Sequence, residues 1–182
     1  MLALADAVLE IERHVSESGW DQPARLFALV RTADLLAAEP QLAEQLGPDA
    51  AELTPVAQEA LPPGAEGDGL TEALARIEWP EAVTGCALAV ERVVLPGDHG
   101  SVTADDVAAA ARDARRHEVR MVGGVLRDGT RFGAVRMRTH DEDDAVLTGT
   151  DLVPTLCEVL ALTFAPDPAP DGARTADEEG RR

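Results

Sequence analysis

The sequence predicts a single α+β domain in which an antiparallel sheet of about five strands is packed by helices from both ends of the chain. Three observations carry this expectation. The chain has 182 residues and is 45% apolar, the size and content of one domain with its own core. Helical periodicity marks its beginning and its end, and strand-like apolar runs fill the middle. Asp128-Gly129 stands between two of those runs and is the strongest short-range signal for a β-hairpin.

Taken in order, Leu4, Val8, Ile11 and Val15 fall on one helical face, with Glu10, Glu12 and Arg13 opposite. The helix ends at SESG, where Gly19 suits the left-handed residue that follows a helix. Pro23 resets the chain, and residues 25–30 read as a buried strand. Thr32 caps a short helix that Pro40 interrupts before QLAEQLG closes it. LTPVAQEAL reads as an edge strand, because Pro55 cannot donate to a central ladder. Residues 62–69, PPGAEGDG, form a flexible connection to a helix, LTEALARIEW, that Pro80 stops. VTGCALAVERVVL is a long strand whose near-continuous apolar run implies cover on both faces. Residues 97–117 read as a surface helical excursion, with Thr103 and Asp106 at its cap.

In the hairpin, a two-residue type I′ turn at Asp128-Gly129 sets Leu126 opposite Arg131, Gly124 opposite Gly133 and Val122 opposite Val135. That register places Arg136 and Arg138 on the face of Val119 and Met121, and Arg120 on the other. After the acidic run HDEDD, Asp151 opens a final helix with Pro154 in its first turn. The domain thus spans 1–165, and 166–182 has the composition of a disordered tail.

Composition narrows the function. A net charge of −18 argues against nucleic acid, which is bound through accumulated cationic side chains, and against an anionic membrane surface. Aromatic residues make up only 3%, too few for a base-stacking platform. All 16 basic residues are Arg, so lysine-dependent Schiff-base, P-loop and kinase chemistry is out. Acids interrupt the first apolar run, which is therefore not a signal peptide, and no stretch reaches a membrane span; the expected location is the cytoplasm. Cys86 and Cys157 sit in separate apolar runs and read as buried thiols.

No motif assigns catalysis, a cofactor or a metal. HEVRM, from His117, lacks the second His of a zinc-protease helix. DHGS cannot converge as a triad, and HDEDD lacks the ligand spacing and Gly of a calcium loop. GGVLRDG does not satisfy a dinucleotide fingerprint. The local anomaly is arginine: eight of the 16 lie between positions 112 and 138, against only Asp113, Glu118 and Asp128. Arg120, Arg131, Arg136 and Arg138 are the candidate interaction residues, since Arg grips planar anions and is enriched at interfaces. The competing reading is that they pair with HDEDD and other surface acids.

The blocks GWDQPARLFALV, LTPVAQE, IEWPEAVTGCALAVERVVLP, EVRMVGGVLRDGTR and LTGTDLVPTLCEVLA, in that order, resemble a family of short acidic actinobacterial proteins of unknown function. The resemblance ends near Phe164 and implies no catalytic residues. In architecture alone the element plan is similar to secretion-chaperone-type α+β folds, from which the helices at 33–46 and 103–116 depart. The expected function is a non-catalytic binding or adaptor protein engaging a protein partner or a second copy as a homodimer. The alternative is a domain that binds an anionic metabolite, or acts on it, through the hairpin arginines.

Overall fold

A computed structural model describes residues 1–47, 50–59, 61, 69–94 and 117–165. Its elements are α1 (Leu2–Ser16), β1 (Arg25–Arg31), α2 (Thr32–Ala38), α3 (Ala43–Leu46), β2 (Leu53–Ala57) and α4 (Gly69–Leu74), then β3 (Val83–Val94), β4 (His117–Leu126), β5 (Arg131–Met137), β6 (Leu147–Gly149) and α5 (Pro154–Leu162). The strands form one antiparallel sheet of six in the order β2-β1-β3-β4-β5-β6. The strand beyond the expected five is β6, a three-residue edge in a stretch that reads as loop. The tail and nearly all of the expected excursion and flexible connection lie outside the described residues. Within reach, Gly69 opens α4 and His117 opens β4. No helix among the described residues is long and apolar enough to cross a membrane.

The sheet has a helix layer on each face, as the apolar run of β3 requires. Ala87 and Ala89 turn toward α1, whose Leu4, Ala7, Val8, Ile11 and Val15 complete one core. Cys86, Leu88 and Val90 turn the other way, into a core closed by Leu70 and Leu74 of α4 and by Val153, Cys157 and Leu160 around α5. Neighbouring glycines let both helices approach. A Cβ at Gly124 would lie 2.6 Å from a Val8 methyl in α1, and one at Gly123 would lie 3.0 Å from a Leu156 methyl in α5.

Glu12 corrects the reading of α1. It is only 2% exposed, one helical turn beyond Val8 on the core-facing ridge, and not on the solvent face. The helix at LTEALARIEW also ends early, at Leu74. Its last bonds tighten to Ile77 N–H donating to Leu74 O at 3.0 Å. Trp79 is then drawn onto α5, where its Nε1 donates to Thr163 Oγ1 at 2.9 Å and its ring stacks on Phe164.

The hairpin forms, with its register one residue away from the expected one. Gly129 alone takes a left-handed φ, 86°, and Asp128 does not, so the type I′ turn is excluded. A three-residue loop replaces it: Gly129 N–H donates to Leu126 O at 2.9 Å, and Leu126 N–H donates to Thr130 O at 2.8 Å. Asp128 Oδ1 takes the Thr130 N–H at 2.8 Å, a local bond that favours the longer loop. Val125 therefore pairs with Arg131, Gly123 with Gly133, Val122 with Ala134 and Arg120 with Arg136. A one-residue slip moves side chains to the other face. Arg120, Arg136 and Arg138 consequently share the α1 side, and Arg131 lies on the opposite one.

Candidate binding site

Of the candidate arginines, three converge at the C-terminal end of α1. Arg136, 2% exposed, is gripped by Glu12: Nε donates to Oε1 at 2.6 Å and Nη2 to Oε2 at 2.8 Å. Nη2 also reaches Asp143 Oδ1 at 2.8 Å, and Nη1 donates to Asp141 O at 2.9 Å. These acceptors, Glu12 foremost, raise its affinity for its proton. Arg120, 1% exposed, donates from Nη2 to Gly19 O and to Glu91 Oε1 at 2.9 Å. Its Nε and Nη1 have no hydrogen-bond partner among the described residues. Arg138 is bidentate on Asp21, at 3.0 and 2.9 Å, and donates to Glu118 Oε2 at 2.7 Å.

The turn from α1 to β1 is tied over this group. Trp20 lies against the guanidinium carbons of Arg120 and Arg138, at 4.5 and 5.6 Å from its ring centre, and its Nε1 donates to Asp141 Oδ2 at 2.9 Å. Asp21 has φ 65°, unusual for a residue with a side chain, and its N–H donates to Glu91 Oε2 at 2.8 Å. The Arg138 hydrogen bonds hold the Asp21 carboxyl below the ordinary carboxylate range. The fourth candidate, Arg131, does not join them; it pairs with Asp151 at 3.0 Å and is 40% exposed.

Glu12, Asp21, Glu91, Glu118, Asp141 and Asp143 pair with the three guanidiniums, so the cluster offers an incoming anion little net positive charge. Asp141 and Asp143 of HDEDD act as counter-ions. Among the described residues, no group of three or more His, Cys, Asp or Glu is placed to hold a metal ion. Burial pushes the Cys86 thiol up to about 12, and it raises Cys157 as well, so neither is an activated nucleophile.

The second feature is an apolar trough on the α5 side of the sheet, bordered by Ala73 of α4. Leu26, Ala28 and Val30 of β1 and Val56 of β2 form its floor, with Ile77 and Trp79 as one wall. Its volume is 680 Å³, within the range of about 300–1,000 Å³ typical of sites that enclose a ligand. Val56 is 38% exposed, and exposed Gln58, Glu59, Arg76 and Glu78 stand on the rim, while Leu26 and Ala28 on the floor are buried.

The trough is not legible in the sequence. Its lining comes from β1, α2, β2, α4, β3 and the segments that follow β2 and α4, which no single periodicity unites. The one signal was Trp79, one of only two tryptophans, immediately before Pro80. Glu12, Trp20 and Asp21 were also missed as parts of the arginine cluster.

The model of the PPA1309-like protein family matches residues 4–165. The chain belongs to that family. Among curated proteins and solved structures, nothing matches. The match covers both helix layers and all the strands described above, so the trough and the arginine cluster lie within the shared region.

Proposed function

We propose that this PPA1309-like protein is a non-catalytic binding or adaptor protein that engages a separate protein chain, and that the trough is its contact surface. The open apolar trough carries this reading. A face with Val56, Ile77 and Trp79 beside an exposed sheet edge gains free energy when covered, about 25 cal/mol per Å² of apolar area. Among the described residues, the rest of the molecule supports it by offering little chemistry: the thiols are buried and protonated, and Arg136 and Arg138 are already paired with carboxylates. The family resemblance and the acidic composition fit a home in the cytoplasm of an actinobacterium.

The anionic-metabolite alternative needs uncommitted guanidiniums at the base of the hairpin. Arg136 and Arg138 spend theirs on carboxylates, which counts against that alternative. The two readings part in one experiment with tagged full-length chain produced in its own cells. The binding reading expects a partner recovered in fixed ratio, lost with Val56→Asp and rebuilt from purified components. Retention of the partner by Val56→Asp, together with a melting temperature raised by small anions, would favour the alternative.

A further inference from the structure

We infer that the trough's occupant is a polypeptide segment whose apolar anchor is flanked by Lys or Arg and which docks through side chains, not as an added strand. The inference rests on the trough reading above and specifies its ligand.

The sheet edge disfavours strand addition. Gln58 N–H donates to Leu26 O, and Thr32 N–H donates to Glu52 O, which sets the even-numbered residues of β2 as those bonded inward to β1. The backbone groups of Leu53, Pro55 and Ala57 therefore point outward. Pro55 stands at the centre of that outward row and has no N–H, so an incoming strand would lose its middle donor. What remains attractive is the side-chain surface of Val56, which is 38% exposed, with half-buried Val30, Ile77 and Trp79 beside it.

Charge at the rim selects the flanks. Glu59 and Glu78 border the trough and make no ion pair or hydrogen bond among the described residues. Arg76, on the rim, is tied to Glu72 at 2.5 Å, and Arg127 donates to the backbone oxygens of Trp79, Pro80 and Val83. With Glu59, Glu72 and Glu78 against Arg76 and Arg127, the surroundings are net negative on a chain of net charge −18, so the field attracts a basic segment and repels an acidic one. Trp79 adds a ring that favours a nearby cation. A second copy of the chain brings the same acidic rim and the same net charge, which disfavours self-association through this surface.

The test is selection of a random peptide display library on the full-length chain, with counter-selection on Val56→Asp. Melting curves establish that each variant is folded. The expected winners carry Leu, Ile, Phe or Trp flanked by Lys or Arg, and bind the double variant Glu59→Lys with Glu78→Lys about tenfold more weakly. Their affinity should also fall as salt rises. Winners that depend on Val56 yet show no basic enrichment, or that bind the double variant equally well, would overturn the ligand assignment and leave the trough standing. Absence of any Val56-dependent peptide would overturn the trough reading, and the ligand assignment with it.

Discussion

Glu12 and Arg136 meet between α1 and the sheet, each 3% exposed or less, in a two-pronged ion pair. Desolvation offsets much of the attraction of such a pair, but removing one partner strands the other charge. Glu12→Ala should therefore cost about 3–5 kcal/mol in urea denaturation. The double variant Glu12→Leu with Arg136→Leu should cost less than the two single changes added together. An additive double variant would mean that the pair is not coupled. Asp21 supplies a pH-dependent tie, because Arg138 depresses its pKa in the folded state. That stabilisation is present above the usual value of 3.8 and disappears as pH falls through the depressed one. With Trp79→Phe leaving Trp20 as the reporter, fluorescence should show the turn loosening in acid, at higher pH in Arg138→Gln than in the parent; coincident transitions would remove Arg138 from the account. Cys86 acts at the other end of the scale. Its thiol stays protonated in the fold up to about 12, against an ordinary 9.0, so stability should decline between those values as the unfolded chain ionises. At this scale the sequence exposed the cluster of arginines, since composition alone singles out residues 112–138. It hid their partners, because Glu12 and Asp21 are more than a hundred residues away along the chain.

The hairpin β4–β5 explains why a correct element can carry a wrong register. Asp-Gly is compatible with a two-residue loop and with a three-residue one, and the choice lies in which residues take a left-handed φ. Here Gly129 does so alone, at 86°, and the Asp128 side chain secures the next N–H. Gly129→Ala should cost about 1–2 kcal/mol through that conformation, although nothing lies within 4 Å of the added methyl. Gly124→Ala acts by a different cause. Its backbone angle is ordinary, but its Cβ would lie 2.6 Å from the Val8 methyl, so α1 must shift, at about 1–3 kcal/mol. Pairing Gly124→Ala with Val8→Ala should recover part of the loss in denaturation curves; no recovery would place the strain elsewhere. The elements most legible from sequence were α1 and β3, whose burial is dictated by periodicity and by two-sided cover. The short β6 was illegible, because a three-residue strand carries no periodicity.

At the scale of the molecule, two helix layers clasp one six-stranded sheet, and the cover is uneven. On the α1 side the core runs from β2 to β5, through Leu53, Phe27, Ala87, Val122 and Ala134. On the other side α4 and α5 gather over the middle strands, and the β1–β2 end carries an apolar trough at which Val56 is exposed. The layered α+β plan could be read from the sequence, because it follows from where apolar runs and helical patterns fall. The trough could not, because it is built from several segments far apart along the chain. The measurement that tests its role most directly is site-specific photocrosslinking in living cells, with a photoreactive residue in place of Val56 or, as a control on the opposite edge, Leu147. The account predicts one discrete crosslinked protein from position 56, joined through a peptide rich in apolar and basic residues, and none from position 147. Equal crosslinking at both positions, or none at 56 in a folded chain, would contradict it.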